Sequence, residues 1–176
     1  MIDLTLGRMV KIVDDPQFFN LQRSPETWFC HAIVHLYQVD VVDITRYYLR
    51  ESKHSRGRSL RLDVQYDSVF VFELQDVFPS NPDFDVHLNA TEPFVIRALR
   101  KDHKLDQEAV YGRLSISQYR FTRQDIKQGG VIEEEKGSLI NHILFRDNEL
   151  LSIDQVRGST SIWWGYLIEE SQVALT

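Results

Sequence analysis

The sequence predicts an α+β fold: two N-terminal helices packed on a curved, mainly antiparallel sheet, or on a partly open barrel, of about seven to nine strands. Three observations lead there. Residues 24–38 carry an almost unbroken apolar surface when wound as a helix. From Ser59 onward polarity alternates with period two. The later runs are separated by turn residues at hairpin spacing.

The elements follow in chain order. Ile2 to Val13 alternates weakly and carries β-branched residues, which suits a strand stopped by Asp14-Asp15-Pro16. In Ser24 to Gln38, Ser24 caps the first turn, Pro25 sits at the first helical position and Glu26 meets the positive end of the dipole. At the helical period, Trp28, Phe29, Cys30, Ala32, Ile33, Val34, Leu36 and Tyr37 fill an arc of about 240°. Only His31, His35 and Gln38 lie in the gap, so a central core helix is expected. Asp43 then caps a shorter helix, Ile44 to Glu51.

Leu60, Leu62, Val64 and Tyr66 alternate with Arg61, Asp63 and Gln65, the pattern of a half-buried strand. Asp67-Ser68 turns the chain into Val69 to Leu74, which is apolar on both faces and reads as a central strand. Further strands are expected at Phe84 to Leu88, Pro93 to Leu99, Leu114 to Phe121, Val131 to Glu134, Leu139 to Phe145, Glu149 to Ile153 and Ser161 to Ile168. A helical turn is expected over Asp106 to Tyr111. A short helix is expected from the capping pattern Thr122-Arg123-Gln124-Asp125. The last eight residues read as a frayed tail. No linker divides the chain, so 1–176 reads as one domain, helical over 24–52 and sheet over 59–168.

Composition narrows the function classes. The chain of 176 residues is 43% hydrophobic and 11% aromatic, the profile of a globular protein. A net charge of −6 argues against whole-surface binding of nucleic acid or membrane. Its one cysteine, Cys30, lies on the apolar arc and reads as a buried thiol. No apolar run approaches the roughly 18 residues of a membrane span, and the first residues lack a signal-peptide layout. A cytoplasmic protein is therefore expected.

Four constellations are candidate sites. His31 and His35 stand four apart, within reach of one metal ion on a helix, but Ala32 replaces the glutamate of the HExxH pattern. Arg46, Arg50, Lys53, Arg56, Arg58 and Arg61 set six cations against the single anion Glu51, a segment suited to an acidic protein surface or to nucleic-acid phosphates. Glu133-Glu134-Glu135 and Glu169-Glu170 are acidic counterweights that could meet the basic segment of a second copy. Trp163 and Trp164 point to opposite faces of a strand, so one of them is a candidate exposed patch.

No GxGxxG, GxxxxGK[ST], GxSxG or CxxC signature occurs. No cofactor is implied. The expectation is a non-enzymatic interaction protein of adaptor, immunity or accessory type. It would bind a protein partner through the basic segment and the tryptophans. The alternatives are a nucleic-acid binder using residues 46–61, and a metal-dependent or small-molecule enzyme at His31 and His35. A fourth reading is a ligand pocket inside the curved sheet, lined by residues such as Phe70, Phe72 and Trp163.

Overall fold

The structure, a computed structural model, describes residues 2–12, 27–51, 59–75, 94–96 and 109–176. Eleven strands occur there: β1 (Met9–Ile12), β2 (Trp28–Gln38), β3 (Val41–Glu51), β4 (Ser59–Gln65), β5 (Ser68–Leu74), β6 (Phe94–Ile96), β7 (Ala109–Ile126), β8 (Ile132–Arg146), β9 (Glu149–Val156), β10 (Ser159–Ile168) and β11 (Val173–Leu175). Among the described residues there is no α-helix, only two single 3₁₀ turns, Gln128–Gly130 and Glu170–Gln172. The chain is therefore not α+β. It is an antiparallel β-barrel of eight strands, closed by β2 pairing with β7.

The two expected N-terminal helices are β2 and β3. Along β2 every second residue from Trp28 to Leu36 is buried, and those between are half-buried. When both parities are apolar, a strand looks amphipathic at the helical period as well. Aromatic and β-branched residues then decide the matter, and Trp28, Phe29, Ile33, Val34 and Tyr37 all favour a pleated surface. Val41, Val42, Ile44, Thr45, Tyr47 and Tyr48 do the same for β3. Asp43 caps nothing. The link between them is the two-residue turn Val39-Asp40, both at positive φ (+47° and +65°), a geometry matched to strand twist.

Other expectations shift in the same direction. Thr122 to Asp125 continues β7 instead of capping a helix. Val131–Glu134 and Leu139–Phe145 merge into β8. Ala109 to Tyr111 is strand, and the supposed tail holds β11, paired with β1. The hairpin at Asp147-Asn148 is where the turn residues place it. The strand expected over Phe84 to Leu88 lies outside the described residues, as do Ser24, Pro25 and Glu26.

Around the ring the order is β2-β3-β4-β5-β10-β9-β8-β7, two four-strand meanders joined edge to edge. Every neighbouring pair is antiparallel. The rim bearing the Val39-Asp40 turn is the upper one here. It follows that β5 ends at the lower rim and β7 begins at the upper.

Register divides each strand into an inner and an outer parity. Arg46 on β3 reaches Asp154 on β9, four strands round the ring, so their parity is the inner one. Leu60 and Leu62 on β4, Val69 and Val71 on β5, Leu151 and Ile153 on β9, and Trp164 and Ile168 on β10 share the outer parity. They are buried in one cluster with Leu4, Val10 and Ile12. Both faces of β5 are thus covered, as its apolar run requires. Glycine allows the tightest approach in the wall: a Cβ on Gly165 would stand 1.8 Å from the Val71 carbonyl oxygen, so β10 lies against β5 there only without a side chain.

Candidate functional site

Across the waist of the barrel runs a charge network that neutralises itself. Arg46 and Arg61 are fully buried, and Asp63 and Asp154 are 5% and 4% exposed. Arg61 grips Asp63 in a fork, Nε to Oδ1 at 2.6 Å and Nη2 to Oδ2 at 2.9 Å. It also donates to Asp154 at 3.2 Å and to the Ser152 hydroxyl at 2.6 Å. Arg46 donates to both Asp154 oxygens, at 2.6 and 3.2 Å. Asn141 donates to Ser152 and Asp154 at 2.9 and 2.8 Å. Arg46 Nε lies 3.4 Å from Asp63 but makes no hydrogen bond.

Burial alone would strip these groups of charge. Instead the two aspartates outweigh burial at Arg46 and hold its pKa well above its ordinary value. Arg46 and Arg61 likewise hold Asp154 below the usual carboxylate range, against burial. Arg61 is also sandwiched between the rings of Phe72 and Trp163, 4.7 and 4.9 Å from their centroids.

This partition leaves a cavity on each side. The lower one, about 260 Å³, is bounded by Tyr48, Phe121, Arg123, Leu139, Asp154 and Trp163. Its cation is already matched: Arg123 forks onto Asp125 at 2.6 and 3.0 Å and lies over Tyr48. The upper cavity is larger, about 360 Å³. Phe70, Phe72, Ile44, Ile143 and Leu150 give it apolar walls, while Asp43, Gln65, Ser115, Ser117, Tyr119 and Asn141 give it polar ones. Asp43 accepts from the Tyr119 hydroxyl at 2.8 Å and from Gln65 Nε2 at 3.4 Å. Burial, with that bond to Asp43, pushes the Tyr119 phenol up to about 12.

The residues singled out in the sequence scatter over this frame. Arg46 and Arg61 are in the waist. Arg50 is exposed on β3, its guanidinium 4.8 Å from the Phe29 ring. Lys53, Arg56 and Arg58 lie outside the described residues. Trp163 faces the barrel interior, edge-on to Tyr48, and Trp164 faces the outer cluster; both are buried. Glu133, Glu134 and Glu135 line the exposed start of β8, where Glu135 sits 3.8 Å from Arg157.

The histidine pair loses its helical spacing. Four residues of strand span about 13 Å. His31 occupies a bulge with its ring 6.4 Å from that of Tyr48, whereas His35 points outward to the Thr45 hydroxyl at 3.3 Å. Burial, then Arg123 and Arg50, lower the His31 pKa to about 4. Among the described residues no group of three or more His, Cys, Asp or Glu could hold a metal ion. The Cys30 thiol is buried and pushed up to about 12 by that burial.

Sequence reasoning missed Asp63, Ser152, Asp154, Asn141 and Tyr119, and gave Asp43 the role of a helix cap. The signal was present as alternation, Arg61-x-Asp63 and Ser152-x-Asp154, each interleaved with leucine or isoleucine. Alternation fixes two faces and not which of them is inside.

No family model, curated protein or solved structure matches this chain. No helix among the described residues is long and apolar enough to cross a membrane.

Proposed function

We propose that the protein binds a small organic molecule in the upper cavity of the barrel, without chemistry of its own. One observation carries this reading: the cavity of about 360 Å³ combines aromatic walls with hydrogen-bonding groups and stands on a locked charged floor. That volume falls at the low end of the range for ligand pockets, about 300–1,000 Å³. An eight-stranded barrel is just wide enough for its own side chains or one small guest. The floor supports rigidity, because Asp63 and Asn141 are held by partners below and present fixed faces above.

A partner protein or a nucleic acid at the basic segment finds less support. Arg46 and Arg61, two of its six cations, are spent inside the barrel. The lone buried thiol suits a reducing compartment, which keeps the cytoplasm as the proposed location.

The test uses a neutral fluorescent probe, N-phenyl-1-naphthylamine. Its emission is expected to rise saturably at one site per chain. Ser117→Trp, which fills the cavity, should abolish the rise while leaving thermal unfolding cooperative. No saturable site, or equal binding by a folded Ser117→Trp variant, overturns the reading.

A further inference from the structure

Resting on the cavity as a ligand site, we propose that its guest is an organic ammonium, a primary or secondary amine carrying an aromatic or branched apolar group. Asp43 is the counter-ion. The charged residues lining the cavity, among those described, are Asp43 and Asp63, and no lysine or arginine lines it. The two carboxylates differ. Asp63 is charge-matched by the Arg61 fork and has Arg46 beside it. Asp43 has only neutral donors, Tyr119 and Gln65, and no cation within ion-pairing distance among the described residues.

A carboxylate accepts about four hydrogen bonds. Two donors on Asp43 leave acceptor capacity facing the cavity. An uncompensated charge partly out of water favours a guest that restores the balance, and an N–H donor of positive charge does so most strongly. An anionic guest would be repelled, and a neutral one would leave the charge unmatched.

The remaining walls fix the body of the guest. The Phe70 and Phe72 rings are near-parallel at 26°, with centroids 6.4 Å apart. They stand two strands from Asp43 on β3, with Leu150 and Ile143 across the space. An ammonium at Asp43 therefore places its apolar substituent among these side chains. Phe72 already carries the Arg61 guanidinium near its face, so the ring face of Phe70 is the one left for a flat group.

Three molecules of similar shape and different charge test this: 2-phenylethylamine, 2-phenylethanol and 3-phenylpropionate, each displacing N-phenyl-1-naphthylamine at pH 7. The amine is expected to compete at least about tenfold better than the alcohol, and the propionate worst. Asp43→Asn keeps an oxygen that can accept from Tyr119 and removes the charge, and it should erase the tenfold preference. If that variant fails to fold, the ranking of the three competitors on the unaltered protein decides alone. Equal competition, or preference for the acid, overturns the ammonium assignment and leaves the cavity reading standing. Failure of the probe to bind removes both.

Discussion

The inner and outer faces of the barrel wall are made by the same strands and obey opposite rules. On β4, Leu60 and Leu62 go outward while Arg61 and Asp63 go inward; on β9, Leu151 and Ile153 go outward while Ser152 and Asp154 go inward. All eight are buried. The outer parity supplies stability by removing apolar area from water, about 1.5–3 kcal/mol per fully buried large side chain. The charge network on the inner parity supplies little net energy, because two arginines and two aspartates must first be desolvated; the inward apolar cluster of Val34, Leu36, Ile44, Phe121 and Leu139 contributes burial of its own. What the network supplies is a unique arrangement, since each member has partners on other strands. The lesson is that apolar burial on both faces holds the barrel closed, while the charged waist sets the shape of its lumen.

Gly165→Ala attacks both faces at once and should have the largest effect. The added carbon meets the β5 backbone, which no rotamer change relieves, so loss of the cooperative fold is expected in circular dichroism melts. A variant that melts within a few degrees of the parent would show that β10 and β5 can part. Next comes Asp154→Asn, which leaves two buried guanidiniums short of charge. It should cost about 3–5 kcal/mol in urea unfolding. The double change Arg46→Met with Asp154→Leu leaves the neutral Arg61–Asp63 pair and should cost less than Asp154→Asn alone. If it costs more, the waist is a net source of stability and the contrast drawn here collapses. On the outer face, Leu62→Ala should cost about 3 kcal/mol, with the lumen and its probe binding unchanged.

Acid should produce the smallest and most gradual effect. The pKa values of His31 and His142 are both lowered in the fold, His142 by burial and, less, by Arg113. Arg113 donates toward His142 Nδ1, so the ring proton sits on Nε2 and is given to Gln155. The unfolded chain therefore takes up protons first as pH falls through about 6.5. Stability should be complete above that value and decline toward pH 4, while Asp154, held low by Arg46 and Arg61, stays charged. A Tm that rises between pH 7 and 5 would contradict both assignments.

Several strands from Leu60 onward were legible from residues alone. Leu60 to Gln65, Val69 to Leu74 and Glu149 to Ile153 read as strands, and Asp147-Asn148 marks its own hairpin. The stretch Trp28 to Tyr37 misled because it is apolar on both parities, and such a run satisfies either period. Val39-Asp40 hid the hairpin further, since a β-branched residue rarely adopts φ of +47°. The upper cavity was legible only as Phe70 and Phe72 facing one way. Its polar side, Asp43 and Tyr119, is joined by a bond between strands 76 positions apart in sequence, which no local pattern encodes.

The ring has two seams, where Leu36 meets Phe121 and Phe72 meets Gly165. Each joins partners from different halves of the polypeptide. A nascent chain can assemble its first meander early, yet its β2 edge waits for β7 and its β5 edge waits for β10 to leave the ribosome. During synthesis the protein therefore passes through an open trough, the stage at which neighbouring copies can add to it and at which a chaperone would do most good.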